Sequence, residues 1–375
     1  MSYPVSLKRV AGYAPHEISS GIEALLSPLG GMKAFVKPGQ KVLIKPNMLA
    51  GRAPEKAVTT HPEVLKAVIR QAQQVGGIVS VGDSPGMGAP AKVAKDCGLL
   101  EVIEETGAIF APFSDSVPVR SRALFHELEL ARDVLDAEVI INLPKLKTHQ
   151  MMGMTCAVKN LFGAVVGLRK PKLHLQAGSD KALFARMLLE LCGRIRPALS
   201  IVDGVVGMEG EGPGSGDPKF IGALLAGAEP LAVDAVACAL ANLAPGSVWT
   251  QKLALAAGMG GADLEEVELL GDALYSVALR PAHATDIHFG LPERLRAPLQ
   301  KSLTARPRVR QEKCLRCGLC VKACPPEAMR IERDRLLIDA EGCIRCFCCH
   351  ELCPQGGLDI EQGLLLRLAA FFGRA

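Results

Sequence analysis

A cysteine-rich segment near the carboxyl end of the chain constrains its fold more than any other feature. Two stretches, CLRCGLCVKACP at 314–325 and CIRCFCCHELCP at 343–354, repeat the spacing C-x2-C-x2-C-x3-C-P. Cys348 fits neither copy, and the sequence alone leaves its role open. The remaining cysteines are isolated among apolar neighbours and are predicted to be small buried hydrophobic side chains: Cys97, Cys156, Cys192 and Cys238.

The repeated spacing is that of bacterial two-cluster ferredoxins, which the region from about 308 to 362 resembles along its whole length. In that pattern the fourth cysteine of each run binds the cluster of the other run. The resemblance therefore implies two 4Fe-4S clusters with crossed ligands. Their predicted ligands are Cys314, Cys317, Cys320 and Cys353 for the first cluster, and Cys343, Cys346, Cys349 and Cys324 for the second. Zinc sites, the alternative, do not use a third cysteine at this spacing followed by C-P.

The composition excludes several classes of protein. Hydrophobic residues make up 49% of the chain and charged residues 22%, which is typical of a folded globular protein rather than a disordered one. A net charge of +4, without a basic stripe that contains aromatic residues, argues against nucleic-acid binding. The first residues lack the layout of a signal peptide, and charged residues interrupt the longest apolar stretch, 221–244. We therefore expect a cytoplasmic protein without a transmembrane segment, in which cysteines bind metal.

The larger, amino-terminal part alternates predicted strands with predicted helices. The predicted strands are 41–47, 78–86, 137–149 and 198–207. One helix is predicted after Thr60 as its cap, with Pro62 in the first turn, and another over 180–193. This alternation predicts an α/β fold, with a largely parallel sheet flanked by helices and buried on both faces.

Three segments are predicted in total. Residues 1–305 form the α/β domain, and residues 306–362 form a small α+β ferredoxin-like iron–sulfur domain that includes a hairpin in AMRIERDRLLID. Residues 363–375 form an amphipathic helix that packs onto the large domain or a dimer mate, or binds a membrane surface or a partner.

Polar side chains follow the carboxyl end of each predicted strand of the large domain. Because ligands of open parallel sheets bind outside these ends, the loops are expected to converge on one crevice. The candidate catalytic residues are Lys45, Asp83, Lys147, His149, Lys159 and Asp203. Simpler readings stay open: Asp83 can make a turn or cap a helix, His149 can be an ordinary surface histidine, and Lys159 can form a buried hydrogen-bonded pair with Asn160. The glycine-rich stretch GMEGEGPGSGDP is either a mobile flap or an anion-binding nest.

Six motifs are carried by the large domain, namely KPN, TTHP, GDSPG, LPKLKTH, KNLFG and DGVVGMEGEGP. Together they resemble the domain of unknown function 362 family, whose members are often fused to a carboxyl-terminal two-cluster ferredoxin domain. The resemblance covers nearly the entire chain and implies the same architecture. It implies no particular reaction.

The combined features favour an iron–sulfur protein that passes electrons to a small anionic substrate in the crevice. Lys45, Lys147 and Lys159 would attract the anion, and His149 would transfer a proton. Asp83 and Asp203 would orient the lysines or bind a divalent cation together with Glu209. The alternatives are a non-catalytic electron carrier whose large domain docks a partner enzyme, and a redox sensor. The expected partner is an electron donor or acceptor protein, and a homo-oligomer is an open alternative.

Overall fold

A computed structural model describes residues 2–86, 88–120, 127–167, 169–178, 180–282 and 304–363 of the chain. Within these residues, the strands of the main sheet are β1 Tyr3–Arg9, β2 Lys41–Pro46, β3 Ile78–Val81, β4 Ile109–Phe110, β7 Val139–Leu143, β8 Lys145–His149, β9 Gly153–Thr155, β10 Leu199–Glu209, β11 Asp217–Gly227 and β12 Val267–Gly271. Three separate hairpins or strand pairs are formed by β5 Ser116–Arg120 with β6 Glu127–Ala131, β13 Ala305–Val309 with β16 Leu358–Gln362, and β14 Met329–Glu332 with β15 Arg335–Ile338.

The helices surround the main sheet and fill the carboxyl-terminal module. They are α1 Pro15–Leu26, α2 Pro62–Gln74, α3 Pro90–Asp96, α4 Leu99–Thr106, α5 Arg132–Asp136, α6 Ala157–Asn160, α7 Arg169–Ala177, α8 Lys181–Ile195, α9 Pro230–Leu240, α10 Trp249–Ala256, α11 Leu319–Lys322 and α12 Cys348–Leu352. None of the helices within the described ranges is long and apolar enough to cross a membrane.

The main sheet is mixed and mostly parallel, as the sequence predicted. Its strand order is β12-β1-β11-β10-β7-β2-β3-β4, and β8 and β9 are attached beside β10. The strands β10, β7, β2, β3 and β4 are parallel to one another, and β11 runs antiparallel to both of its neighbours. The four strands that were predicted to end at one crevice therefore all point the same way.

Both faces of the sheet are buried, because successive residues of β2 pack into different layers. Val42 and Ile44 belong to a core that also contains residues of α1 and α2. Leu43, which points the opposite way, belongs to a second core together with residues of α8. Side chains alternate between the faces of a strand, so an apolar run such as Val42–Ile44 requires apolar layers on both sides.

Some predictions about individual elements were wrong, for identifiable reasons. The predicted strand 137–149 is interrupted at Pro144, which separates β7 from β8, because proline cannot donate to the hydrogen-bond ladder. Thr60 does not cap α2: its hydroxyl bonds the carbonyl of Leu143, and His61 is the cap residue. GMEGEGPGSGDP begins and ends in strands, since β10 runs to Glu209 and β11 starts at Asp217, and the seven residues between them form a loop; its role as a flap or an anion-binding nest stays a prediction.

The carboxyl-terminal module is a small strand-rich unit, as the ferredoxin resemblance implied. Its predicted hairpin is formed by β14 and β15, with Arg333 and Asp334 at the turn in the left-handed region. The helix that is predicted over 363–375 lies outside the described residues apart from its first position. The three domain boundaries stay predictions, with β13 starting at Ala305.

Candidate functional site

The two cysteine quartets that the sequence predicted are brought together around two separate small cavities. One cavity is lined by Cys314, Cys317, Cys320 and Cys353. The other is lined by Cys324, Cys343, Cys346 and Cys349. The fourth cysteine of each run therefore does lie with the first three of the other run. The close approach has an electrostatic effect, because the neighbouring thiols add to burial in raising the pKa of Cys320 to about 11.

The chemistry of the donor set fits iron–sulfur clusters. Among the described residues, no three His, Cys, Asp or Glu side chains are arranged around a single metal ion. Each quartet surrounds a cavity instead, which is what a cubane requires, since its four thiolates bind four different iron atoms. The remaining four cysteines of the large domain are buried, as predicted: Cys97, Cys156, Cys192 and Cys238.

A cavity of about 490 Å³ lies between the α/β domain and the cysteine-rich module. Residues that follow β2 and β3, together with Lys147 and His149 on β8, form its wall on one side. Ala323, Cys348 and Leu352 contribute from the module. Ala323 and Cys348 directly precede Cys324 and Cys349, two members of one quartet. The cavity and this quartet are therefore immediate neighbours along the chain, and Cys348, the surplus cysteine, forms part of the cavity wall.

Hydrogen bonds hold the module against the α/β domain beside this cavity. The guanidinium of Arg52 donates to the carbonyls of Cys353, at 3.1 Å, and Pro354, at 2.7 Å. Ser215, in the loop between β10 and β11, donates to the carbonyl of His350 in α12. The glycine-rich stretch thus contacts the module, and Pro213 from the same loop lines the cavity.

A chain of buried side-chain amides fixes the position of Lys147. The Lys147 Nζ donates to Asn47 Oδ1 at 3.0 Å, and Asn47 Nδ2 donates to Asn160 Oδ1 at 2.9 Å. Asn160 in turn donates to Asn142 at 2.9 Å. Buried polar groups that satisfy one another in this way hold a rigid geometry. Asn160 therefore forms a buried hydrogen-bond network and also lines the cavity.

The short helix α6, which carries Lys159 and Asn160, is capped from a distant part of the chain. The carboxylate of Asp234, on α9, accepts hydrogen bonds from the backbone N–H groups of Ala157 at 2.6 Å and Val158 at 3.2 Å. Burial raises the pKa of Asp234 to about 7. In the sequence, Asp234 is one of the charged residues that interrupt the apolar stretch 221–244, and nothing there indicates that it positions this helix.

His149 is buried in the cavity wall rather than exposed at the surface, with 2% of its surface accessible. Its Nδ1 accepts hydrogen bonds from the backbone N–H groups of Met151 at 3.1 Å and Met152 at 3.2 Å, which assigns the proton to Nε2. Burial, then the charges of Lys159 and Lys147, hold the pKa of His149 well below its usual range. At neutral pH His149 is therefore a hydrogen-bond donor rather than a charged acid.

Lys45 and Asp83 form a buried ion pair under the cavity, with Lys45 Nζ 2.8 Å from Asp83 Oδ1. The other carboxylate oxygen of Asp83 accepts from the backbone N–H of Met48 at 2.8 Å. Burial lowers the pKa of Lys45, and Asp83 opposes this shift. Asp83 lines the cavity, whereas Lys45 lies behind it and balances the charge of Asp83.

We expect Gly163→Ala to disrupt this ion pair. A Cβ atom at Gly163 would overlap Asp83 Oδ1 and lie 2.6 Å from Lys45 Nζ, so the pair would have to separate. A loss of about 1–3 kcal/mol in the free energy of unfolding is expected for such overpacking, measured by denaturant titration. The matched control is Gly193→Ala in α8, where an added Cβ meets no heavy atom within 4 Å. If the two variants had the same free energy of unfolding, the buried ion pair would not require glycine at position 163.

Two titratable residues of α7 line the cavity although neither was among the candidates predicted from the sequence. Lys170 Nζ donates to the carbonyls of Ser84 and Pro85, and burial lowers its pKa to about 7. His174 lies one turn later and stacks on Phe184 with ring centroids 4.3 Å apart. Burial, followed by the nearby lysines, lowers the pKa of His174 to about 3. Neither residue follows a predicted strand end, so the sequence carries no signal that would place α7 at the cavity.

Asp203 lies outside the cavity lining, in a second buried network. Its carboxylate accepts from Lys145 Nζ at 2.8 Å and from the Tyr13 hydroxyl at 2.7 Å, while the ring of Tyr13 stacks on His61 at 3.6 Å. The structure therefore separates Asp203 from the other five candidates. The alternative prediction, a divalent-cation site formed by Asp83, Asp203 and Glu209, was wrong. Asp203 and Asp83 belong to different networks, and Glu209 pairs with Arg280.

Comparison with known proteins agrees with this architecture. Residues 42–239 match the model of a domain of unknown function, DUF362, and residues 306–354 match a 4Fe-4S dicluster domain. The chain belongs to the DUF362 family. It is a DUF362 protein with a carboxyl-terminal ferredoxin-like domain, as the motifs indicated.

One curated relative and two solved structures show the extent of similarity. The chain is 41% identical over 254 residues to a thylakoid-associated protein of Synechocystis sp., a match that covers 66% of this chain and 77% of that protein. A lactate racemase apoprotein from Thermoanaerobacterium thermosaccharolyticum matches with a TM-score of 0.40 and 12% identity, over 60% of this chain and 54% of that one. A Thermotoga maritima protein matches with a TM-score of 0.36 and 14% identity, over 59% and 57%.

Proposed function

We propose that this DUF362 protein carries two 4Fe-4S clusters and reduces a small anionic substrate in the cavity between its two parts. The observation that carries the proposal is that one cavity is lined both by lysines of the α/β domain and by Cys348 and Ala323, the residues next to two predicted cluster ligands. Clusters bound in the quartets would supply electrons one at a time.

The cavity residues have separate tasks in this proposal. Lys147 and Lys159 attract the anion and stabilise negative charge that develops on it, because their charges act in a poorly hydrated site. His149 donates a hydrogen bond from Nε2 and so orients the substrate. Lys170 supplies the proton, because an ammonium with a pKa of about 7 is a stronger acid than an ordinary lysine.

A partner protein would exchange electrons at the exposed loop of the module that carries Leu315 and Cys317. Cys317 is exposed, and Leu315, two residues before it, has 64% of its surface accessible. In contrast, Cys346 and Cys349 of the other quartet are buried. The exposed loop suits docking of an electron donor or acceptor protein, and the quartet that contains Cys346 and Cys349 suits electron transfer within this chain. We place the protein in the cytoplasm, and association with a membrane, as in the thylakoid-associated relative, is the alternative.

The test is anaerobic reduction of the purified protein, removal of the reductant, and a screen of reducible organic acids for reoxidation of the cluster absorbance. His149→Asn keeps an acceptor for the Met151 and Met152 N–H groups but removes the Nε2 donor. Lost turnover in this variant with intact clusters would support the enzyme. Unchanged turnover would contradict it, and loss of partner binding alone would favour an electron carrier.

The affinity for an anion is expected to fall as the pH rises above about 7. Lys170 is protonated below its lowered pKa of about 7 and attracts the anion; above it, the neutral amine does not. The charges around it are those of Asp83, Lys45 and Lys159. Calorimetric titration at pH 6 to 9 should show a decline of up to about tenfold per pH unit. Lys170→Arg, which stays charged, should remove most of this dependence of the affinity on pH. If the affinity of this variant fell as steeply as that of the wild type, another group would be responsible for the dependence.

A further inference from the structure

Two buried polar atoms in the cavity wall lack a partner. Thr155 Oγ1 and His174 Nδ1 make no hydrogen bond to any of the described residues. Their residues are only 4% and 6% exposed, and both line the cavity. Buried polar atoms in native proteins almost always have a partner, either a protein group or an ordered water, so these two atoms are candidate positions for hydrogen bonds to a ligand.

Each of these atoms belongs to a residue that is paired with a lysine of the cavity. Thr155, on β9, lies directly opposite Lys147 on β8, and opposite residues of an antiparallel pair share one face. His174 lies four residues after Lys170 on α7, which places both side chains on one side of that helix. The cavity wall thus contains two such pairs on different elements, each with one lysine and one neutral hydrogen-bonding group.

We infer that the cavity binds a dicarboxylate, with one carboxylate at Lys147 and Thr155 and the other at Lys170 and His174. The inference names the substrate class of the function proposed above and rests on it. One ammonium and one neutral donor match the single charge of a carboxylate, whereas a phosphate monoester carries nearly two charges. The neutral imidazole of His174 donates from Nδ1 in the tautomer that has its proton there.

The remaining lining fits the middle of such a molecule. Phe113, Phe162 and Leu352 provide apolar surface for a carbon chain or ring. Among the described lining residues, Asp83 is the one acidic side chain, and Lys45 balances its charge. Lys159 adds a further positive charge close to His174, and its Nζ is 4.9 Å from the centre of the Phe162 ring. A dianion would therefore meet an excess of positive charge, and about 490 Å³ is within the usual size of small-molecule sites.

Calorimetric titration of the oxidised, full-length protein tests the inference without any electron transfer. The probes are succinate, glutarate, adipate and suberate, the monocarboxylates of the same chain lengths, and inorganic phosphate. We expect at least one dicarboxylate to bind about tenfold more tightly, or more, than its matched monocarboxylate. Thr155→Val and His174→Phe should each weaken its binding by about tenfold, because each removes one hydrogen bond to a charged group.

The control is Lys252→Met, outside the cavity, where the lysine lies over the ring of Trp249. This variant should bind every probe as the wild type does, and iron content and circular dichroism verify that each variant is folded. Equal affinity for mono- and dicarboxylates, tighter phosphate binding, or no binding at all would overturn the inference. If dicarboxylates failed to bind but another class of anion reoxidised the clusters, the proposed function would stand and the dicarboxylate inference would fail. If dicarboxylates bound but His149→Asn left turnover unchanged, the proposed function would fail instead.

Discussion

Exchange of Cys349 for serine should remove about half of the bound iron, whereas the same exchange at Cys348 should leave the iron content unchanged. The two cysteines are neighbours in sequence and about equally buried, at 7% and 8% exposure. Only Cys349 lines the small cavity with Cys324, Cys343 and Cys346, while Cys348 lines the large cavity. The two positions are thus matched in burial and in sequence, so the expected difference in iron content comes from the cavity that each cysteine lines.

The measurement is iron and acid-labile sulfide per chain after anaerobic purification. Two 4Fe-4S clusters correspond to about eight iron atoms, so Cys349→Ser should give about four and Cys348→Ser about eight. Cys353→Ser should likewise give about four, because it removes one predicted ligand of the cluster that we expect at Cys314, Cys317 and Cys320. Iron loss in Cys348→Ser with full iron in Cys349→Ser would contradict the ligand assignment. Stoichiometric zinc in the wild type would contradict the clusters themselves.

Asp203→Asn should strongly destabilise the α/β domain. Asp203 and Lys145 are 0% and 1% exposed and lie 2.8 Å apart, so the substitution leaves the Lys145 ammonium buried without its counter-ion. Removal of one partner of a buried pair costs about 3–5 kcal/mol. Burial already lowers the pKa of Lys145, an effect that Asp203 opposes. The measurement is denaturant titration of the helical circular dichroism under anaerobic conditions.

Two further variants control this experiment. Asp96→Asn removes an exposed ion pair to Lys92, whose side chain is 74% exposed, and should cost less than about 1 kcal/mol. The double variant Lys145→Met with Asp203→Asn removes both charges and should recover part of the loss. If Asp203→Asn were as mild as Asp96→Asn, the network around Tyr13 would not be important for stability.

The architecture could be predicted from the sequence because it depends on local patterns of residues. Strand–helix alternation predicted the parallel core of the sheet, and the cysteine spacing predicted which thiols lie together. Four loops at strand ends predicted the cavity, and Asp83, Lys147, His149 and Lys159 do line it. The shared direction of the parallel strands brings Asp83, Lys147 and His149 to one edge, whereas Lys159 lies on α6.

The rest of the site depends on contacts between distant segments, which periodicity does not encode. Lys170 and His174 reach the cavity because α7 packs across it, and Asp234 caps α6 from 77 residues away. Asp203 follows the rule for strand ends, but Tyr13 and Lys145 hold it in a separate network. Nothing in the sequence indicated that α12 would cover the cavity and place Cys348 in its wall.

Single-turnover reoxidation tests most directly whether the cavity and the clusters form one functional unit. The wild type and Lys147→Met would be reduced under anaerobic conditions, freed of reductant and mixed with an anionic acceptor while the cluster absorbance is followed. We predict that the wild-type clusters are rapidly reoxidised and that Lys147→Met, with the same iron content, reacts at least about tenfold more slowly, since one buried cation is lost. Equal rates in the two proteins would contradict the account.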